Sequence, residues 1–175
     1  MKRLMTTLLA LLLAFALTAC GQTAAPPAEP APEEDAPQTE VDLSAFYRDF
    51  MAWMAEELGT DNVPQMAALD QELLSAFYPG LTDLPTRQLV AQTAVSSAVA
   101  FEMVLLEAET EADADAAEAL FRERLRYQAE EGAWYPATAE VWAQGQVLRQ
   151  GSYVALIAAG TAQEQAADDF QALFA

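Results

Sequence analysis

Chemistry in this chain has to come from carboxylates and arginines, because the other common catalytic side chains are almost absent. Of the 175 residues none is His, one is Cys (Cys20), and the only Lys is Lys2. A Ser-His-Asp triad therefore cannot be assembled, and beyond Lys2 there is no lysine for a Ser-Lys dyad or a pyridoxal phosphate Schiff base. A lone cysteine cannot supply a His/Cys zinc site. What survives is a Glu/Asp acid–base pair or a hard cation held by oxygen ligands. No cofactor is expected.

The acidic run Thr110-Glu111-Ala112-Asp113-Ala114-Asp115 opens like a calcium loop but fails at once, since Ala117 and Glu118 stand where a ligand and a glycine are needed. Its ordinary reading is a helix start, with Thr110 or Asp113 as cap and acids opposing the macrodipole. Arg122, Arg124 and Arg126 follow on that helix. Steps of about 100° point them in three directions, with Glu118 and Glu123 as near partners. Glu102 sits just inside the start of an apolar strand, and a solvated sheet edge is its ordinary place. The pocket candidates are Glu102, Arg124 and Tyr135. No second carboxylate can be placed opposite Glu102.

Cys20 has a different chemistry. Lys2 and Arg3 precede an apolar run over 4–17, which ends in Leu17-Thr18-Ala19-Cys20. That is the architecture of a secretory signal peptide, and the run is shorter than the ~20 residues a transmembrane helix needs. The last four residues resemble the bacterial lipobox, in which the cysteine thiol takes a diacylglycerol and the preceding peptide bond is cut. The chain then reads as extracytoplasmic and held to the cell membrane through lipid on Cys20. Processing leaves six arginines against 27 acidic residues, a net charge of −21. Such a surface repels nucleic acid and anionic head groups, and would hold divalent cations at most weakly.

The elements that must position these residues follow from periodicity. Residues 20–40, rich in Pro and Glu, have no apolar period and read as an extended, disordered linker. Asp42 caps a first helix in which Leu43, Phe46, Tyr47, Phe50 and Met54 recur at helical spacing, with Trp53 beside them. A second helix is expected over 67–78, with Leu69, Leu73 and Phe77 on one side. Strands are expected over 88–97 and 101–108, the latter apolar on both faces and so interior to a sheet. The arginine-bearing helix runs to about 130, with Ala117, Phe121 and Leu125 toward the core. A short helix over 137–143 precedes two strands joined by Gly151-Ser152, a hairpin signal. Thr161 and Glu164 have the spacing of a capping box for a last helix, lined by Ala166, Phe170, Leu173 and Phe174.

The order of these pieces resembles a family of bacterial lipoprotein domains of unknown function, family 4358. The resemblance rests on the helix after Asp42-Leu43, then Tyr78-Pro79-Gly80, and Glu102 ahead of its apolar strand. It continues through Arg124 and Gln128, Tyr135-Pro136 and Gly151-Ser152-Tyr153-Val154. The hairpin departs from it, with Gly-Ser-Tyr in place of Gly-Asn-Tyr. The resemblance implies a location and a domain boundary but no activity.

The expected fold is α+β: a small three- to four-stranded antiparallel sheet with helices packed mainly on one face. The expected organisation is a signal peptide over 1–19, the lipidated cysteine and linker over 20–40, and one domain over 41–175. The function these features suggest is a non-catalytic binding or adaptor module with a protein partner in the cell envelope. The competing reading is a carboxylate-dependent hydrolase of envelope glycans, with Glu102 as its acid.

Overall fold

The computed structural model describes residues 41–175. The expected signal peptide, Cys20 and the whole of the expected linker over 20–40 lie outside the described residues.

Helix α1 (Leu43–Glu57) starts where expected, with the Asp42 carboxylate accepting from the Ala45 N–H at 2.8 Å. Of its stripe Leu43, Phe46, Phe50 and Met54 are buried, while Tyr47 and the neighbouring Trp53 are half-buried. The next segment departs from expectation. Residues 66–68 form a short strand, β1 (Met66–Ala68), and the helix is only α2 (Gln71–Phe77). The break falls at Asp70, whose extended backbone and side chain, accepting from Leu73 N at 2.9 Å, start a new helix. This resets the phase, so Leu74 and Tyr78 are buried and Leu73 is exposed.

Strand β2 (Thr86–Ala94) begins two residues early and stops three short of 97. The stop has a local cause: Ser96 accepts at its carbonyl from Val99 N and at its hydroxyl from Ala98 N, turning the chain. Strand β3 (Glu102–Ala108) is buried along its whole length. Helix α3 (Glu111–Tyr127) is capped by Thr110 and passes into a π-turn over Gln128–Gly132. Helix α4 (Pro136–Gln144) leads into the hairpin β4 (Gln146–Gln150) and β5 (Tyr153–Ala158), turned at Gly151 with φ +56°. Helix α5 (Gln163–Ala172) closes the chain. The Thr161 capping box does not form. Thr161 sits inside a 3-10 turn over Gly160–Ala162, and α5 begins without a side-chain cap.

The sheet has five strands in the order β1-β2-β3-β5-β4, every neighbour antiparallel. The fold class is thus α+β as expected, with one strand more than the upper count. The extra strand is β1, whose three residues carry no alternation long enough to read.

Helices cover both faces, not mainly one. Alternation along β3 sends Val104 and Leu106 to one side, where they meet Ala117 and Phe121 of α3, Leu74 of α2 and Trp142 of α4. Met103 and Leu105 go to the other, against Phe46 and Phe50 of α1 and Phe170 of α5. An inner strand that is apolar on both faces demands cover on both. Among the described residues no helix is long and apolar enough to cross a membrane.

Candidate functional site

Glu102 is not at a solvated edge. Its even-numbered position on β3 puts it on the same side as Val104 and Leu106, and it has no exposed surface. Arg124 lies above it at a core position of α3: Ala117, Phe121 and Arg124 recur at i, i+4 and i+7, one face of a helix. Leu125, expected in the core, falls to the flank and is only half-buried. Arg124 Nε donates to Glu102 Oε1 and Nη2 donates to Oε2, each at 2.9 Å, a two-pronged pair with Arg124 7% exposed. Arg122 and Arg126 behave as the sequence suggests, pairing with Glu118 and Glu123 on the surface.

The third member is Tyr78, the residue after α2. Its buried hydroxyl donates to Glu102 Oε1. Phe77, Trp142 and Tyr78 present rings to the guanidinium, with centroids 4.1, 5.3 and 5.7 Å from Cζ. Such contacts strengthen when desolvated. Burial, and then the Glu102 charge, push the Tyr78 phenol well above its ordinary value. Burial pulls the Arg124 guanidinium down, but the Glu102 hydrogen bond and charge more than reverse that, so its affinity for the proton is raised. The phenol stays a donor and the guanidinium stays charged.

A groove of about 480 Å³ lies against this cluster, with Phe77, Pro79, Leu120 and Tyr127 as walls and Arg124 and Gln128 at its base and rim. Gly132 of the π-turn borders it, and a Cβ there would come within 2.8–2.9 Å of the Tyr127 and Gln128 side chains. Tyr135 is not part of the cluster. It is 53% exposed at the start of α4, where its carbonyl accepts from the Thr138 hydroxyl at 2.8 Å.

A second buried carboxylate, Glu107, is five residues along β3 and so on the opposite face. Gln88 Nε2 donates to it at 2.7 Å and Arg87 pairs with it at 3.3 Å. The two buried glutamates therefore do not face one another across a cleft. Among the described residues no group of three acidic or thiol side chains converges as a metal site.

Two of the three pocket candidates thus come together and Tyr135 does not. Tyr78 was missed, although its place four residues after Leu74 continues the buried side of α2. No family model, no curated protein and no solved structure matches the chain.

Proposed function

We propose that this chain is a lipid-anchored, extracytoplasmic binding module without catalytic activity of its own, of the lipoprotein kind that its sequence resembles. The observation that carries the second half is the state of Glu102. Both of its oxygens are engaged by Arg124, one also by Tyr78, and no surface of it reaches solvent. A general acid must approach the leaving group to hydrogen-bond distance. Glu102 offers no free edge for that, and Glu107 is sealed on the other side of the strand. The pair instead fixes α3 to β3 and the end of α2, a rigid frame beneath an open groove. The anchoring half rests on Leu17-Thr18-Ala19-Cys20 and on a surface too acidic to hold a membrane unaided.

The test has two arms. In a bacterial host fed an alkyne fatty acid, the full chain should label and Cys20→Ser should not; a labelled Cys20→Ser protein overturns the anchor. Purified full chain incubated with peptidoglycan fragments and envelope polysaccharides should release no new reducing ends. Turnover that Glu102→Gln abolishes, in a variant that still folds, overturns the non-catalytic reading in favour of hydrolysis.

A further inference from the structure

The arginines of this domain are distributed unevenly. Arg122, Arg124, Arg126 and Arg149 are in ion pairs around α3, and Arg87 is paired with Glu107. Arg48 of α1 is the one arginine without an ion pair among the described residues, and it lines a different hollow, over β1 and β2. The groove between α1 and α5 is therefore lined by acids and by no arginine.

This groove has a volume of about 500 Å³. Phe46, Phe50 and Trp53 line it; Phe50 stacks on Trp53 at 5.6 Å, and Phe46 is backed edge-on at 5.9 Å by the core residue Phe170. Three carboxylates rim it: Asp42 and Asp49 from α1 and Asp169 from α5. None of the three makes an ion pair among the described residues; Asp42 accepts from a backbone N–H and Asp169 from the Gln165 amide.

We infer that the α1/α5 groove binds a basic amphipathic peptide segment of an envelope partner, its lysines or arginines meeting Asp42, Asp49 and Asp169 and its apolar side chains seated on Phe46, Phe50 and Trp53. Charge selects the occupant. The chain's own linker brings Glu29, Glu33, Glu34 and Asp35, and a second copy brings a net charge of −19 before processing, so both are repelled. Apolar side chains account for the aromatic lining, and a cation over Trp53 gains from the ring as well as from the carboxylates. The volume is in the range of sites that hold a few side chains. This inference names the partner chemistry for the binding module proposed above and rests on that reading.

The probe is a fluorescent peptide of alternating Lys-Leu pairs, titrated by anisotropy against full chain in phosphatidylcholine nanodiscs, with empty nanodiscs subtracted. Saturable binding is expected. Asp49→Asn combined with Asp169→Asn should weaken it at least tenfold, and Ala45→Arg, which places a guanidinium in the groove, should do the same. Glu72→Gln combined with Glu140→Gln removes equal charge on the far face and should change it less than twofold. Circular dichroism and urea midpoints confirm that each variant is folded. No binding above empty nanodiscs overturns the inference. So does equal weakening by both charge pairs, or equal binding of a Lys-Ser peptide or of spermine, since diffuse charge alone would then explain attraction. Failure here leaves the labelling and turnover results untouched, so the two readings fall separately.

Discussion

Arg124 of α3 grips Glu102 of β3 with two parallel hydrogen bonds of 2.9 Å, the carboxylate wholly buried and the guanidinium nearly so. A pair so placed is not strong evidence of net stability, because desolvating both charges costs much of what their attraction returns. Its effect shows when one partner is lost. Arg124→Met leaves the Glu102 charge buried beside a phenol and should cost about 3–5 kcal/mol in urea unfolding. Removing both charges, Glu102→Leu with Arg124→Met, should cost clearly less than the two single changes together, the signature of coupling in a double-mutant cycle. Additivity would mean that the two side chains do not interact.

Tyr78 makes the same cluster sensitive to alkali. Burial and the Glu102 charge raise its phenol above the ordinary value of 10.0. In the unfolded chain the phenol loses its proton near pH 10, while the folded chain still holds it. The unfolded state then binds fewer protons, so stability falls as pH rises above 10 until the folded phenol also ionises. Below pH 10 the contribution is fully present. Tyr47, raised by burial alone, adds to the slope in both proteins. Urea unfolding should therefore run parallel in Tyr78→Phe and the wild type up to about pH 10, and above it the wild type should lose stability more steeply, by at most roughly 1 kcal/mol per pH unit. Curves that stay parallel above that pH would show that Tyr78 is not the protected phenol.

How much of this was legible in the sequence depends on the length of the signal. Helices α1 and α3 and the buried strand β3 were readable because each carries a long apolar period. Strand β1 was not, because three residues show no period and its pairing with β2 is a tertiary fact. The cover on both faces is implied by β3 itself, where Met103 and Leu105 alternate with Val104 and Leu106, but which helices supply it on each side is decided only by the packing. The site was half visible. Arg124 stands on the same helix face as Ala117 and Phe121, and Glu102 on the same strand face as Val104, so each is a charge in an apolar stripe. Only the packing of α3 on β3 shows that the two charges answer each other. Tyr78 was hidden by the phase of α2, which Asp70 resets.

That reset can be tested against the capping box that does not form. Asp70 accepts from Leu73 N at 2.9 Å and begins α2. Asp70→Ala should cost about 1 kcal/mol, with asparagine restoring most of it. Thr161 lies in the 3-10 turn before α5 and caps nothing. Thr161→Ala should stay within about 0.5 kcal/mol of the parent in the same urea titration. A loss of a full kilocalorie at Thr161 would place a cap where the structure has none.

Gly145 joins α4 to β4 at a point where three elements crowd together. Its backbone is in an ordinary region, φ −57° and ψ 150°, so its need for glycine is one of space. A Cβ there would lie 2.7 Å from Leu125 Cδ2 of α3, 3.1 Å from the Trp142 carbonyl oxygen and 3.3 Å from that of Ile157. The leucine tip can move, but the two backbone oxygens belong to α4 and β5 and yield little. Gly145→Ala should thus cost about 1–3 kcal/mol, as overpacking does. Adding Leu125→Ala removes the closest clash and should recover part of that loss, although Leu125→Ala alone destabilises. If the double variant is no better than the sum of the two single ones, the crowding lies with the backbone oxygens alone, and the α3 flank does not press on this junction.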